Sequence, residues 1–144
     1  MTDPVISGRL GEGFVLVVDD DPSVARAAAR LLHAMGFEVL IATKGGEAVE
    51  ICRAGGNDID VVLLDMVLQE MTSVETLRQL RALRPGIKVI LTSGYSIQES
   101  TDRFSGMRLD GFVSKPYGYT QLENEFRVAL NAGSSPDSGL RPPG

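Results

Sequence analysis

Tryptophan is absent from this chain, and cysteine and histidine occur once each. The lone thiol, Cys52, cannot close an internal disulfide, and one His with one Cys cannot build a zinc site. Such cysteine usage suits a reducing, cytoplasmic setting. No apolar run approaches the ~20 residues that cross a bilayer, so no membrane insertion is expected. The first residues, MTDPVISGRLGEG, carry Asp3 and lack an apolar centre, which does not fit a secretory signal. Positive charge is also scarce: 14 basic residues face 19 acidic ones, a net charge of −5. Direct nucleic-acid binding, which needs a concentrated basic face, is therefore not expected.

What is present is the balance of a globular domain, 43% hydrophobic and 23% charged in 144 residues. A chain of this size buries roughly 70% of its unfolded surface and needs no staple. Residues 1–13 are Gly-rich and lack period, and residues 132–144, AGSSPDSGLRPPG, are rich in Pro, Gly and Ser. Both are expected to be flexible segments flanking one domain over 14–131.

Within that span, apolar runs alternate with helix-like segments. The runs are Phe14–Val18, Phe37–Ile41, Val61–Leu64, Ile87–Leu91 and Gly111–Val113. Three are apolar almost throughout, as strands covered on both faces of a parallel sheet must be, while Lys88 interrupts the fourth. Asp21-Pro22 predicts a capped helix start before Val24, Ala28, Leu31 and Leu32, and Gly36 its left-handed stop. Thr72 and Glu75 match a capping box ahead of Val74, Leu77, Leu80 and Leu83, with Pro85-Gly86 as terminator. Leu122, Phe126 and Leu130 give a last helix, around Tyr119 to Leu130, one apolar stripe. Five β/α units in about 115 residues predict a doubly wound α/β sandwich.

Such sheets bind ligands beyond the carboxyl ends of their strands. The sequence puts polar residues there: Asp19, Asp20 and Asp21 after the first run, Asp65 after the third, Thr92 and Ser93 after the fourth, Lys115-Pro116 after the fifth. Carboxylates ~5 Å apart at an effective dielectric near ~20 repel by about 3 kcal/mol per pair, enough to call for a cation. Hard oxygen ligands in small number favour magnesium. A cation, an ammonium and a hydroxyl around one carboxylate are also the equipment for phosphoryl transfer. Each piece alone has a plainer reading. An Asp pair at a strand end often caps a helix, as Asp21 is expected to do, and Ser or Thr after a strand is commonly turn chemistry. The signal lies in all four arriving at successive strand ends.

With those residues in place, the chain resembles the receiver domains of bacterial response regulators, over about Phe14 to Leu130. VLVVDDDPSV is similar to the family's first strand and acidic pair, which implies Asp19 and Asp20 as magnesium ligands. VVLLDM implies Asp65 as phosphoacceptor and third acidic ligand, with the backbone carbonyl of Val67 completing the protein's set. LTSGY implies Ser93 as the switch hydroxyl. GFVSKPY implies Lys115 as the phosphate-binding lysine, Phe112 as the switch aromatic, and a cis Lys115–Pro116 bond. The implied fold is a flavodoxin-like, doubly wound, five-stranded parallel sheet, (βα)5, in strand order 2-1-3-4-5.

The implied function is phosphorelay signalling. Asp65 takes a phosphoryl group, with magnesium, from a histidine kinase or histidine phosphotransfer protein, and an interaction surface around Ser96 to Met107 and Gly118 to Leu130 changes for a downstream protein target. A phosphorylation-dependent homodimer is a further implied partner. The chain is then a signalling domain that assists its own phosphorylation and dephosphorylation, not an enzyme with a separate substrate. LTSGYS and DGFVSKPY lean towards receivers attached to hybrid histidine kinases. Val67 and Tyr95 occupy the positions that flank the attacking water, and neither can hold it, which implies slow phosphoryl loss. One stretch departs from the pattern: Leu68-Gln69-Glu70-Met71-Thr72-Ser73 replaces the usual Met-Pro-x-Met-Asp-Gly, which leaves the geometry of that loop open.

Other readings fit less well. An aspartate-nucleophile phosphatase of the haloacid dehalogenase type needs a second carboxylate at Val67. A flavin mononucleotide carrier needs a Ser/Thr/Gly-rich phosphate loop where the three aspartates stand. A degenerate receiver acting only as a binding module conflicts with the complete Asp/Asp/Asp/Ser/Lys set. His33 is expected to be ordinary helix surface or core, Cys52 and the methionines core filler, and Phe112, without the family, a plain core aromatic.

Overall fold

The computed structural model describes residues 13–55 and 59–134, the last three of these as backbone only. The flexible segments expected at 1–13 and 132–144 lie almost wholly outside the described residues, save that the final helix continues to Ser134.

Five strands, β1 (Phe14–Val18), β2 (Glu38–Ala42), β3 (Ile59–Asp65), β4 (Lys88–Ser93) and β5 (Gly111–Ser114), alternate with five helices. The helices are α1 (Pro22–Ala34), α2 (Gly45–Ala54), α3 (Ser73–Leu83), α4 (Ile97–Asp102) and α5 (Tyr119–Ser134). All strand pairs are parallel, in the order β2-β1-β3-β4-β5 that was expected.

The unbroken apolar runs are explained by two cores, one on each face of the sheet. Along β1, Val15 and Val17 point to the face covered by Ala25, Leu32, Leu122 and Phe126 of α1 and α5. Leu16 and Val18 point the other way, towards Ala48, Leu77, Leu80 and Phe104. Alternation of side chains along a strand thus feeds both cores, and each buried Leu or Phe contributes on the order of 1.5–3 kcal/mol. Cys52 and Met66 are buried in the second of these cores, and His33 is exposed on α1.

The predicted helix signals act as expected. Asp21 caps α1, its carboxylate accepting from the Ser23 amide (3.0 Å) and hydroxyl (2.8 Å), with Pro22 in the first turn. Gly36, at φ +103°, lies just past the helix end and donates its N–H to the carbonyl of His33 (2.8 Å). Strand limits differ in detail. β3 runs two residues earlier than its apolar run because Asp60, though charged, faces out and accepts the Phe14 amide at 2.9 Å. β2 begins after Phe37, whose ring sinks into the α1/α5 core, 5.5 Å from that of Phe126.

At the sheet edge, the Phe112 amide donates to the Glu125 carboxylate of α5 at 3.1 Å. A Cβ on Gly111 would stand 2.8 Å from that same oxygen, so a side chain there would push the carboxylate aside.

Candidate functional site

Register brings the polar strand ends together. Val18 lies opposite Leu64, so Asp19 and Asp65 leave adjacent strands side by side. Asp65 is level with Thr92, and Ser93 with Ser114, whose successor Lys115 donates its amide to the Ser93 carbonyl (2.8 Å). The Lys115–Pro116 bond is cis. Lys115 Nζ lies 3.1 Å from Asp19 Oδ2 and 3.2 Å from Asp65 Oδ1, an ion pair spanning the mouth of the sheet.

One carboxylate oxygen from each of Asp19, Asp20 and Asp65 lies within 4.8 Å of the others. The donors are all hard oxygens, Asp19 and Asp65 are buried, and Asp20 is half-buried. That donor set fits a small divalent cation such as magnesium and does not fit a soft metal. Asp19 is further oriented by the Asp21 amide, which donates to its Oδ1 at 3.0 Å.

Electrostatics follow from this crowding. Burial and then the Asp19 charge push the Asp65 carboxyl up to about 6, against the opposing pull of Lys115 and the Val67 amide. For Lys115, burial acts to lower the ammonium's pKa, but hydrogen bonding to Asp19 and the charges of Asp65 and Asp19 outweigh it, and the net shift is upward. Burial, with Asp19 and Asp65 nearby, pushes the Tyr117 phenol up to about 12. The site is a strongly negative well holding one fixed ammonium.

The remaining predicted residues surround it. The Val67 amide approaches Asp65 Oδ1 at 3.5 Å, and the residue is 49% exposed. Ser93 is buried, its Oγ accepting the Tyr95 amide at 2.9 Å. Phe112 is half-buried and packs on the core that contains Leu91 and Phe104. Tyr95 is 50% exposed, with the Arg103 guanidinium 5.9 Å from its ring centre.

The loop that departs from the family pattern is held by its own substitutes. Ser73 donates its hydroxyl to the Met66 carbonyl, Thr72 Oγ1 accepts the Glu75 amide at 3.1 Å, and Glu70 takes a left-handed φ of +68°. The capping box is completed on the threonine side, while the Glu75 carboxylate pairs with Arg78 and Gln79.

Sequence reasoning missed Ser100, whose buried hydroxyl reaches Ser93, and Tyr117, which packs on the α1/α5 core and feels the charges of Asp19 and Asp65. A serine within the polar stretch IQESTD carries no periodic signal. Tyr117, directly after Lys115-Pro116, could have been found by its place.

This fold and site define a doubly wound α/β domain with a metal-competent acidic well and a lysine at the carboxyl edge of its sheet. The chain belongs to the response regulator receiver domain family, whose model matches residues 15–127. It is 36% identical over 120 residues to the sensor kinase CckA of Brucella abortus, covering 83% of this chain and 13% of that protein. It is 37% identical over 129 residues to the sensory transduction protein RegX3 of Mycobacterium bovis, covering 88% of this chain and 54% of the relative. A CheY-like receiver domain protein from Methanospirillum hungatei superposes with a TM-score of 0.76 at 27% identity, covering 84% of this chain and 95% of the other. The chain thus spans about half, or far less, of the curated relatives named. As a receiver of two-component systems, it is a signalling domain of phosphorelay chemistry.

Proposed function

We propose that Asp65 accepts a phosphoryl group from a phosphohistidine on a histidine kinase or a histidine phosphotransfer protein. The observation that carries this reading is the Lys115 ammonium bridging Asp65 and Asp19 inside a cluster of three carboxylates. A carboxylate oxygen of Asp65 attacks phosphorus, and the new O–P bond forms as the P–N bond breaks. The leaving imidazole keeps the electron pair and takes a proton from solvent. Lys115 then meets a phosphoryl oxygen, and the Ser93 hydroxyl turns to donate to another.

Asp19, Asp20, Asp65 and the backbone carbonyl of Val67 would hold magnesium, which when bound neutralises charge building on the phosphoryl oxygens. Phosphorylation adds about −1.5 to −2 charge units at Asp65. We read Phe112 as the aromatic that fills the space Ser93 vacates, altering the face from Ser96 to Met107 and Gly118 to Leu130. That face would be read by a downstream protein or by a second phosphorylated copy. Among the described residues no helix is long and apolar enough to cross a membrane. We place the activity in the cytoplasm, within one domain over 14–131.

The test is incubation with acetyl phosphate and magnesium, followed by intact mass. One phosphoryl adduct, lost in Asp65→Asn and without magnesium, is expected. No adduct on the unaltered chain would leave only a binding module.

A further inference from the structure

Seven positions beyond Ser93, on α4, Ser100 is 0% exposed and turns its hydroxyl onto Ser93 Oγ at 2.9 Å. Ser93 Oγ also takes the Tyr95 amide at 2.9 Å and stands 3.7 Å from Met66 Sδ. A serine hydroxyl has two lone pairs and one proton. Here both lone pairs are engaged, while the proton faces a thioether sulfur, a weak acceptor. The donor capacity of Ser93 is therefore almost unused, which is the capacity a phosphoryl oxygen requires.

Turning Ser93 towards Asp65 carries its Oγ away from both donors. The Tyr95 amide belongs to an exposed loop residue, where water can replace the lost acceptor. Ser100 has no such recourse, because its hydroxyl is fully buried, and a buried hydroxyl stripped of its partner is costly. Its helix, only six residues long and capped by Ser96, must then shift, admit water or take that hydroxyl on its own backbone, as the Thr101 hydroxyl already bonds the Ile97 carbonyl at 2.8 Å.

We propose that Ser100 is a positioning residue for the switch hydroxyl. It holds Ser93 in the resting rotamer, and its stranded hydroxyl couples the turning of Ser93 to displacement of α4. This rests on the reading of Ser93 as the phosphoryl-binding hydroxyl.

The test is a double-mutant cycle on the full chain, titrated with beryllofluoride and magnesium as a phosphoryl mimic, the bound fraction read by fluorine NMR. Ser100→Ala should tighten binding about fivefold, the equilibrium equivalent of one hydrogen bond. Ser93→Ala should weaken binding, and Ser100→Ala should then have no effect in the Ser93→Ala background. Ser100→Cys, a weaker donor of similar volume, should fall between, and it carries the test if the alanine variant folds poorly. Equal effects of Ser100→Ala in both backgrounds, or weaker binding in the single variant, would overturn the positioning role. Unchanged binding in Ser93→Ala alone would instead overturn the reading of Ser93 beneath it.

Discussion

As the proposed phosphoacceptor, Asp65 faces opposed demands, since it would have to be ionised to attack phosphorus yet is only 6% exposed beside Asp19. Its carboxyl, raised to about 6, binds a proton in the folded metal-free chain over a pH range where the unfolded chain, near ~3.9, has lost it. Folded protein thus holds more protons between about pH 4 and 6. This group's favourable contribution is full below pH ~4, declines as pH rises, and is gone above ~6. Asp65→Asn should therefore stabilise the metal-free protein at pH 7 by on the order of 1–3 kcal/mol, and flatten that part of the pH dependence. Urea unfolding from pH 4 to 8 checks this; equal or lower stability of the variant at pH 7 would refute it. Val67 and Tyr95, both about half exposed, offer neither acid nor amide to an attacking water. Val67→Asn should shorten the phosphoryl half-life several-fold, followed by intact mass over time. That the aspartates and Lys115 come together was legible because they follow apolar runs that end at one edge of the sheet. Ser100 and the left-handed Glu70 were not, because neither residue type announces its surroundings.

Among the elements, the β3–α3 loop shows how a departure from a family pattern can be absorbed locally. Ser73 and Thr72 tie both ends of the loop through hydroxyls, and the left-handed turn falls on Glu70, which lies 3.4 Å from Lys44. An exposed ion pair of that kind contributes about 0–1 kcal/mol, whereas a non-glycine residue in the left-handed region costs about 1–2 kcal/mol. Glu70→Gly should then raise stability by up to about 1 kcal/mol, after the added freedom of the unfolded chain is offset. Thermal unfolding checks it, and a loss of stability would show the ion pair to be the stronger term. The strands and the helices α1, α3 and α5 could be read from period and caps. α4, at six residues, is too short to display a period, and only its Ser96 cap marks it. The start of β3 was hidden by Asp60, whose charge suggests a boundary although its side chain simply faces out.

For the whole molecule, two-sided covering of the sheet was legible in the unbroken apolar runs. The strand order was not, because periodicity does not record which strands are neighbours; the family resemblance supplied it. Phosphorylation should shift amide resonances mainly over 96–107 and 118–130, leaving α1 and most of α2 near their resting positions. Spectra of free and phosphorylated chain that coincide in those segments would refute the switch. The Glu125 carboxylate on the Phe112 amide has its own consequence for how that face is used. An open sheet edge normally invites another chain to add itself as a strand. Here the outermost strand has one of its donors occupied by a helix of its own domain, and Gly111 leaves room for that carboxylate. Under the proposed switch, a partner on this side would meet side-chain contacts, whose shape Phe112 would change, more readily than backbone pairing at the Phe112 amide, which would read little of the side chains.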